Sequence, residues 1–553
     1  MTRTGARILV DQLVVHGVDT AFCVPGESYI AVLDALRDAP IRLVVARHEA
    51  GAANMAEAYG KLTGRPGICF VTRAPGATHA ATGVFTAFQD STPLILFVGQ
   101  VPLVHRGREA FQELDYDAAF GSFTKLATEV ENPAAFPELT ARAFATATSG
   151  RPGPVVVALP EDVLSLEADV EDAERWMPGT AAPSADGLAR LRAALDAAER
   201  PFVVVGGGGW SARAAADLQA FAEASRLPVA TSFRRQDYID NTSPSYAGVL
   251  TIGHDAALAQ RLAESDLLLV VGSRLGDIPT RGYTTLEPPR TPQRLVHVHA
   301  DPDELGRVFE ADLPIVSGSR EFLAAARAFE PVDGSARDEW TETAHAEFVA
   351  SLRHKRGPGE LDLGDVLEHL RERLGPDAVL TNGAGNYTVW CHRYYAFRRY
   401  GTQLAPCSGA MGYGIPAAIA AKVVDPDRDV VCVSGDGDFL MSGHELAAAV
   451  QEQIPIVVLL VNNGMYGTIR MHQERQFPGR VVATELVNPD FVALANAYGA
   501  YGEAVSSSED FPPALERALA EDRPAVVELR VDPEAITPRE TISDLRAAAT
   551  RTS

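Results

Sequence analysis

The sequence has no long apolar run: nothing in its 553 residues approaches the roughly 18 consecutive apolar residues that a membrane-spanning helix needs. Its five cysteines are scattered and form neither a metal-binding spacing nor a disulfide framework. Basic residues are in the minority, with 49 Lys and Arg against 73 Asp and Glu, a formal charge of −24. These shortages argue against membrane, disulfide-rich secreted and nucleic-acid-binding proteins, and they predict a cytoplasmic chain.

The order of apolar strands and helical stretches predicts three α/β blocks. The N-terminal stretch MTRTGARILVDQLVVHGV carries Asp11 among its apolar positions and is predicted to form a first amphipathic helix, not a signal peptide. The predicted domains are residues 1–170, 190–330 and 358–540, joined by Ala-, Pro- and charge-rich connections. Repeated strand–helix alternation predicts a doubly wound parallel sheet in each domain.

The most informative stretch is residues 435–464, GDGDFLMSGHELAAAVQEQIPIVVLLVNNG. An apolar strand, VVCV, precedes a glycine turn, helical spacing runs from Ser442 to Gln453, and a second apolar strand leads to Asn463. A strand–helix–strand unit favours parallel strands, so both polar ends should emerge at the same edge of the sheet. Asp436 and Asn463 are therefore predicted to converge, although they are 27 positions apart.

The residue types at this edge suit a divalent cation and a diphosphate. A carboxylate, an amide oxygen and a backbone carbonyl form a hard-oxygen set suited to Mg²⁺, with the diphosphate completing the octahedron. Gly435 and Gly437 would let the backbone approach the phosphates closely.

The GDG triplet followed at a distance by the NN pair resembles the diphosphate-anchoring motif of thiamine diphosphate (ThDP) enzymes. The resemblance implies that Mg²⁺ is held by Asp436, Asn463 and the carbonyl of Met465, and that the cofactor also contacts Gly435, Gly437 and Asp438.

A second segment, RHEAGAANMAEAYGKLTG at residues 47–64, is predicted to be a helix with Glu49 at its start. In the ThDP enzymes that it resembles, a glutamate here hydrogen-bonds a ring nitrogen of the aminopyrimidine. The resemblance implies that Glu49 performs acid–base catalysis relayed through the cofactor. In residues 408–421, Met411 matches the apolar residue that holds the cofactor bent, and the Gly409 carbonyl would accept from the cofactor's amino group.

The three-block layout also resembles the ThDP decarboxylases and carboligases, with pyrimidine-binding, central and diphosphate-binding domains. Residues 72–101 resemble the acetolactate synthase stretch around TSGPGATN, with Ala74 and His79 in place of the usual glycine and asparagine. A lone histidine is more often structural or exposed, so neither His79 nor His105 is assigned a role.

The stretch GREAFQELDYDAAFGSFTK, residues 107–125, resembles the GxDAFQExD region of acetohydroxyacid synthases. The resemblance implies that Phe111 and Gln112 line the cofactor and substrate pocket. Lys125, with Arg108 near it in sequence, would offer positive charge to a substrate carboxylate; the alternative for Lys125 is a solvated surface lysine.

Three positions bear on substrate and cofactor choice. Glu27, after the VPG turn, stands where related decarboxylases carry an acidic residue and acetolactate synthases usually carry glycine. Residues 471–473, Met-His-Gln, lack the acceptor-selecting tryptophan of biosynthetic acetohydroxyacid synthases, so the acceptor preference of those enzymes is not carried over. The glycine run VGGGGW, residues 205–210, could hold FAD, ADP or nothing, because a run without the full fingerprint is weak.

The leading hypothesis is a ThDP- and Mg²⁺-dependent, acetolactate synthase-like enzyme. It would decarboxylate a 2-oxo acid, with pyruvate the expected donor, and ligate the enamine to an acceptor carbonyl. The alternatives are a 2-oxo acid decarboxylase that releases an aldehyde and, more remotely, a non-catalytic ThDP-fold binding protein. The resemblance further implies a homodimer or homotetramer with the cofactor at a subunit interface, and a small-molecule substrate instead of a nucleic acid or a membrane.

Overall fold

The computed structural model describes residues 2–330 and 337–552. The chain divides into two compact units: Met1–Gly179 with Pro406–Pro426 and Ser442–Ile454, and Thr180–Ala405 with Asp427–Met441 and Pro455–Ser553. Three sheets of six strands each, all parallel, confirm the predicted fold class; the three domain limits stay predictions. Within the described residues, no helix combines the length and the apolarity needed to cross a membrane.

The first unit contains a sheet in the order β3-β2-β4-β5-β7-β6. Its central strands are apolar on both faces, as expected for a parallel sheet covered by helices on each side. The strands are β2 (Thr20–Cys23), β3 (Arg42–Val45), β4 (Gly67–Val71), β5 (Leu94–Gln100), β6 (Leu126–Glu129) and β7 (Pro154–Pro160), with β1 (Thr2–Thr4) and β8 (Glu167–Asp169) forming a separate antiparallel pair. The helices are α1 (Gly5–Val15), α2 (Ile30–Arg37), α3 (Glu49–Thr63), α4 (Ala74–Asp90), α5 (Tyr116–Phe120), α6 (Phe136–Thr148) and α7 (Glu161–Ser165).

Helices α3 and α4 pack against each other at a glycine. A Cβ atom placed on Gly83 of α4 would lie 2.5 Å from the Cβ of Ala53 and 2.9 Å from the amide nitrogen of Asn54 on α3. Only glycine therefore permits this approach. The close packing sets the position of the first turn of α4 relative to the first turn of α3.

Two later segments of the chain belong to the same unit. They contain α15 (Gly414–Val424) and α17 (Leu446–Gln451). The hydroxyl of Tyr413 donates to the buried carboxylate of Glu57 on α3 at 2.6 Å, and the amide of Cys407 donates to Asp90 on α4 at 2.9 Å. These bonds attach the segment that carries Gly409 and Met411 to α3 and α4.

The second unit contains the two other sheets. The middle sheet has the order β11-β10-β9-β12-β13-β14. Its strands are β9 (Pro201–Val205), β10 (Val229–Ser232), β11 (Tyr246–Leu250), β12 (Leu267–Val271), β13 (Arg294–His299) and β14 (Leu313–Val316), and its helices are α8 (Ala185–Ala197), α9 (Ala212–Ala224), α10 (Ala256–Glu264), α11 (Ser319–Ala326) and α12 (Asp338–Ser351).

The remaining sheet has the order β16-β15-β17-β18-β20-β19. Its strands are β15 (Val379–Asn382), β16 (Gln403–Leu404), β17 (Val430–Gly435), β18 (Val457–Asn462), β19 (Tyr501–Val505) and β20 (Ala525–Arg530). The other helices of this part of the chain are α13 (Leu363–Arg373), α14 (Tyr387–Tyr394), α16 (Asp436–Ser442), α18 (Gly467–Gln476), α19 (Phe491–Ala497), α20 (Phe511–Leu519) and α21 (Ile542–Thr552).

The predicted strand–helix–strand unit is present but differs in detail. Strand β17 runs on to Gly435, and α16 begins at once with Asp436, where a glycine turn was predicted. The helical spacing predicted from Ser442 to Gln453 is confirmed only over α17, Leu446–Gln451; Ser442 leaves the helical conformation at φ −141°, and a 3₁₀ turn follows before α17. Strands β17 and β18 are parallel neighbours, so the edge that carries Asp436 also carries Asn463.

Candidate functional site

Glu49 lies where β3 gives way to α3, at the carboxyl-terminal edge of the first sheet. His48 caps the helix, because its Nδ1 accepts from the Ala50 amide at 3.1 Å. The Glu49 side chain is only 12% exposed. The first turn of α4 covers it so closely that a Cβ on Gly76 would lie 3.3 Å from Glu49 Oε1. Glu49 is thus a shielded carboxylate at the first residue of α3, the helix start that the sequence predicted.

His79 contacts this carboxylate directly. Its Nδ1 lies 2.9 Å from Glu49 Oε2. The sequence left His79 without a role, and the structure shows a specific partner. The pairing has no local signal in the sequence, since it depends on how α3 and α4 cross.

A second buried glutamate, Glu445, holds the backbone just before α3. Its carboxylate accepts from the amide of Arg47 at 3.0 Å and from the amide of His48 at 3.0 Å. Burial raises its pKa to about 7. Sequence analysis missed Glu445; the available signal was a charged residue directly before the apolar run of α17.

Glu27 and Gln112 lie at the same edge of the sheet as Glu49. Glu27 follows β2, and its carboxylate lies 3.4 Å from the buried guanidinium of Arg73, which also pairs with Glu161. Gln112 is joined to the start of α4 through its carbonyl, which accepts from the Ala74 amide at 3.4 Å. Glu27 is 75% exposed at its side chain, so it presents a negative charge to solvent beside Arg73.

Lys125 lies elsewhere. Its amide donates to the carbonyl of Pro154, the first residue of β7, at 2.8 Å, and its amine donates to the carbonyl of Ser149. Lys125 precedes β6 and therefore sits at the amino-terminal edge of the sheet, opposite Glu49. The structure does not bring Lys125 together with the other candidate residues of this unit.

Gly409 has a left-handed backbone, φ +70°, and a Cβ there would meet no atom within 4 Å. The left-handed conformation explains the choice of glycine, because a side chain disfavours it. Met411 is half-buried two positions later. Both belong to the segment that Tyr413 anchors to α3.

In the second unit, Asp436 is the centre of a cluster of oxygens. Its buried carboxylate accepts from the amide of Gly437 at 2.9 Å, the amide of Gly464 at 2.8 Å and Nδ2 of Asn488 at 2.8 Å. These donors are neutral, and burial raises the pKa of Asp436. A bound divalent cation would reverse this cost by stabilising the charged carboxylate.

Three further oxygens lie on the segment after β18 or beside Asp436. Asn463 Oδ1 accepts from the Met465 amide at 3.2 Å. Met465 pairs with Glu485, but the ladder bonds are made by its neighbours Gly464 and Tyr466, so the Met465 carbonyl faces away from the partner segment. In the described part of the chain, Asn488 Oδ1 is buried without a hydrogen-bond partner. This oxygen set fits Mg²⁺, and Asn488 was not predicted.

The two glycines around Asp436 are also required by packing. A Cβ on Gly435 would lie 3.0 Å from the ring of Tyr387, and one on Gly437 would lie 2.6 Å from the ring of Tyr466. Asp438 faces inward, accepting from the hydroxyl of Tyr387 at 2.9 Å and that of Ser434 at 2.5 Å. Asp438 therefore anchors the loop after β15.

Three family models match the chain. They are the thiamine pyrophosphate enzyme N-terminal TPP-binding domain over residues 3–119, the central domain over residues 188–326, and the C-terminal TPP-binding domain over residues 383–529. Each match covers most of one of the three parallel sheets. Strands β6 and β7 of the first sheet and β15 of the last lie outside the matched residues, and β20 extends one residue beyond them.

The chain is also similar to curated proteins along almost its full length. It is 34% identical to the acetolactate synthase large subunit of Corynebacterium glutamicum, covering 96% of this chain and 87% of that protein. It is 31% identical to the acetolactate synthase isozyme 2 large subunit of Escherichia coli, covering 96% and 95%. Together with Glu49 and the oxygen cluster at Asp436, these matches show that the chain is a ThDP-dependent enzyme and belongs to the thiamine pyrophosphate enzyme family, in its acetolactate synthase-like group.

Proposed function

We propose that the protein is a ThDP- and Mg²⁺-dependent enzyme that decarboxylates a 2-oxo acid, most simply pyruvate, and joins the remaining unit to an acceptor carbonyl. The observation that carries the proposal is the shielded carboxylate of Glu49 at the start of α3, the position of the catalytic glutamate in this family. The acetolactate synthase names of the relatives support the reaction class.

The oxygen cluster supports the choice of Mg²⁺. Asp436, Asn463 and the Met465 carbonyl would hold the ion, and the diphosphate would complete its coordination. Bound ThDP supplies a thiazolium carbon that adds to the substrate carbonyl and stabilises the charge left by loss of carbon dioxide. Glu49 would hold and return a proton at the aminopyrimidine ring, while the Gly409 carbonyl and Met411 would orient the cofactor.

A 2-oxo acid decarboxylase that releases an aldehyde is the second candidate, and Glu27 favours it. Its exposed carboxylate stands at the edge of the sheet that carries Glu49. A carboxylic acid at this place is able to protonate the product carbon, where a glycine cannot. Carboligation is favoured by the resemblance of residues 107–125, which include Gln112, to acetohydroxyacid synthases. The hydrogen bond between the Ala74 amide and the Gln112 carbonyl involves the backbone alone and does not bear on the choice.

The products decide between the two reactions. Purified protein with added ThDP and Mg²⁺ is incubated with pyruvate, benzoylformate and phenylpyruvate, and the products are identified by mass spectrometry. Carboligation gives a hydroxy-ketone or acetohydroxy acid, whereas simple decarboxylation gives the aldehyde. If none of these 2-oxo acids releases carbon dioxide, both candidates are overturned.

Whether the glycine run at residues 205–210 of the middle domain binds FAD can be tested directly. A Cβ on Gly206 would lie 2.0 Å from Ser232 Oγ, and one on Gly207 would lie 1.9 Å from the Gly272 carbonyl. Packing of neighbouring strand ends therefore explains these two glycines without a nucleotide. The visible absorbance of the purified protein, before and after incubation with FAD, shows whether a flavin is retained.

We also propose a homodimer or homotetramer, with each cofactor site at a subunit interface, acting on small molecules in the cytoplasm. The three-domain match to the family supports this assembly. Sedimentation of the purified protein with and without ThDP and Mg²⁺ tests the oligomeric state; a monomer under both conditions would contradict it.

A further inference from the structure

Glu49 and His79 form a hydrogen-bonded acid–base pair at the edge of the first sheet. The pair is a single contact, Nδ1 to Oε2 at 2.9 Å, between the first turns of α3 and α4. The Glu49 side chain is 12% exposed, but that of His79 is 53% exposed. One partner is thus shielded from water and the other is open to it.

The other titratable groups around His79 are two histidines and a glutamate. The ring of His48 stacks on that of His79 with centroids 4.5 Å apart, and the ring of His444 lies 5.7 Å from that of His48. The carboxylate of Glu445 lies behind them, 3.5 Å from Nε2 of His444. Burial lowers the pKa of both His48 and His444, so neither competes with His79 as a cationic partner of Glu49.

The hydrogen bonds of the cluster argue against a metal centre. His48 Nδ1 already accepts from the Ala50 amide, so the proton of its neutral ring is on the other nitrogen, and neither nitrogen then has a lone pair for a cation. Glu49 Oε2 is engaged by His79. A role in folding is equally poorly supported, because a half-exposed side chain contributes little to a core.

We propose that His79 is a positioning residue that stores and returns the proton used by Glu49. In the charged pair, Nδ1 of His79 carries the proton and Glu49 is a carboxylate. When Glu49 engages the aminopyrimidine, the N–H bond of His79 breaks, an O–H bond forms on Glu49, and the imidazole becomes neutral. The exposed ring then exchanges protons with water, and the reverse transfer restores the pair.

This inference rests on the proposed function, because it gives Glu49 the cofactor as its partner. It explains why this chain has a titratable side chain at a position where similar synthases have asparagine. Asparagine can hold the same carboxylate by a hydrogen bond, but it cannot donate a proton at neutral pH. The consequence is a pH dependence of cofactor binding that the asparagine variant lacks.

The experiment measures the protons taken up when ThDP binds. Protein without cofactor is titrated with ThDP in the presence of Mg²⁺, by calorimetry in two buffers of different ionisation enthalpy, over the pH range in which histidine titrates. Wild type is compared with His79→Asn and His79→Gln. His105→Asn, which alters another exposed histidine, is the matched control.

We expect wild type to take up fewer protons per ThDP than His79→Asn, because the Glu49–His79 pair already holds one proton before ThDP binds. Uptake by the asparagine and glutamine variants should vary little with pH, and the His105→Asn control should follow wild type. A double-mutant cycle tests whether His79 acts through Glu49: in a Glu49→Gln background, His79→Asn should cause no further change in proton uptake.

Proton exchange at the thiazolium carbon gives the second readout. We expect about a tenfold slower exchange in His79→Asn near neutral pH, less than the loss of a direct acid–base group. Equal proton uptake in wild type and both His79 variants at every pH would overturn the proposal. A wild-type protein that binds no ThDP would overturn the proposed function as well, so the two failures are distinguishable.

Discussion

Two aspartates in one turn of α16, Asp436 and Asp438, have different surroundings. Asp438 accepts from two hydroxyls, those of Tyr387 and Ser434, and its oxygen fills the space beside Gly383. Asp436 accepts only from neutral amide groups and is buried at the end of the strand, where burial raises its pKa. Asp438 therefore stabilises the fold, whereas burying the charged carboxylate of Asp436 costs free energy in the absence of a cation.

This contrast leads to a prediction for Asp436→Ala. The variant should lose Mg²⁺-dependent retention of ThDP, because the missing carboxylate is the proposed metal ligand and would also offset the charge of the ion. Its thermal unfolding midpoint without cofactor should not fall, since a buried charge is removed. Calorimetry and thermal unfolding check the two parts, with Asp522→Ala, an exposed aspartate of the same unit, as the control. Wild-type ThDP affinity in Asp436→Ala would refute the metal assignment.

Glu49→Gln should separate cofactor binding from cofactor activation. Glutamine is able to hydrogen-bond the aminopyrimidine ring, so ThDP should still bind. It cannot share a proton with the ring, and proton exchange at the thiazolium carbon should slow by about 10²–10⁴-fold, the usual contribution of a general acid–base group. NMR of the bound cofactor measures this rate. Exchange at the wild-type rate would mean that another residue activates the cofactor.

At the scale of elements, the crossing of α3 and α4 determines the geometry around Glu49. Gly83→Ala should push the helices apart, because the new methyl group would overlap Ala53. We expect destabilisation of about 1–3 kcal/mol, typical of overpacking, and slower thiazolium exchange as α4 carries His79 away from Glu49. Gly121→Ala is the control, since its Cβ would meet only Asp117 Oδ1, at 3.5 Å. Unchanged stability and exchange would show that the helices adjust freely.

The turn before α17 carries a pH-dependent contribution to stability through Glu445. Its pKa is about 7 in the folded protein against 4.5 for the free side chain, so the folded state binds the proton more tightly. Stability from this group is therefore present below about pH 4.5 and is lost as the pH rises to about 7, a change of about 3 kcal/mol. Glu445→Gln removes the titration while keeping an oxygen for the two amides.

The measurement is the difference in unfolding midpoint between Glu445→Gln and wild type as a function of pH. We expect the unfolding midpoint of Glu445→Gln to rise relative to that of wild type from about pH 4.5 to about pH 7, and the difference to persist above pH 7. Glu509→Gln, which alters an exposed glutamate, should show no such gain. A difference that does not vary with pH would mean that Glu445 titrates normally.

At the scale of the whole molecule, the features that could be predicted from the sequence are those that follow from the regular alternation of strands and helices. Asp436 and Asn463 meet one edge because each follows a strand of the same parallel pair. The separation of Lys125 from Glu49 was also readable, because Lys125 directly precedes β6, and a residue before a parallel strand lies at the amino-terminal edge. The contact of His79 with Glu49 was beyond local reasoning, because it depends on helix packing at Gly83, and the burial of Glu445 depends on chain segments about 400 positions apart.

The proposed homodimer gives a prediction that involves two whole chains. If each cofactor site takes Glu49 from one chain and Asp436 from another, a mixed dimer of Glu49→Gln and Asp436→Ala chains has one site with both defects and one site with neither. Mixing the two inactive proteins under conditions of subunit exchange should therefore restore part of the activity. Mass spectrometry confirms the mixed species. No recovery in a confirmed mixed dimer would mean that the two residues act within one chain or that the two sites cannot work independently, and a fully active monomer would exclude the interface site.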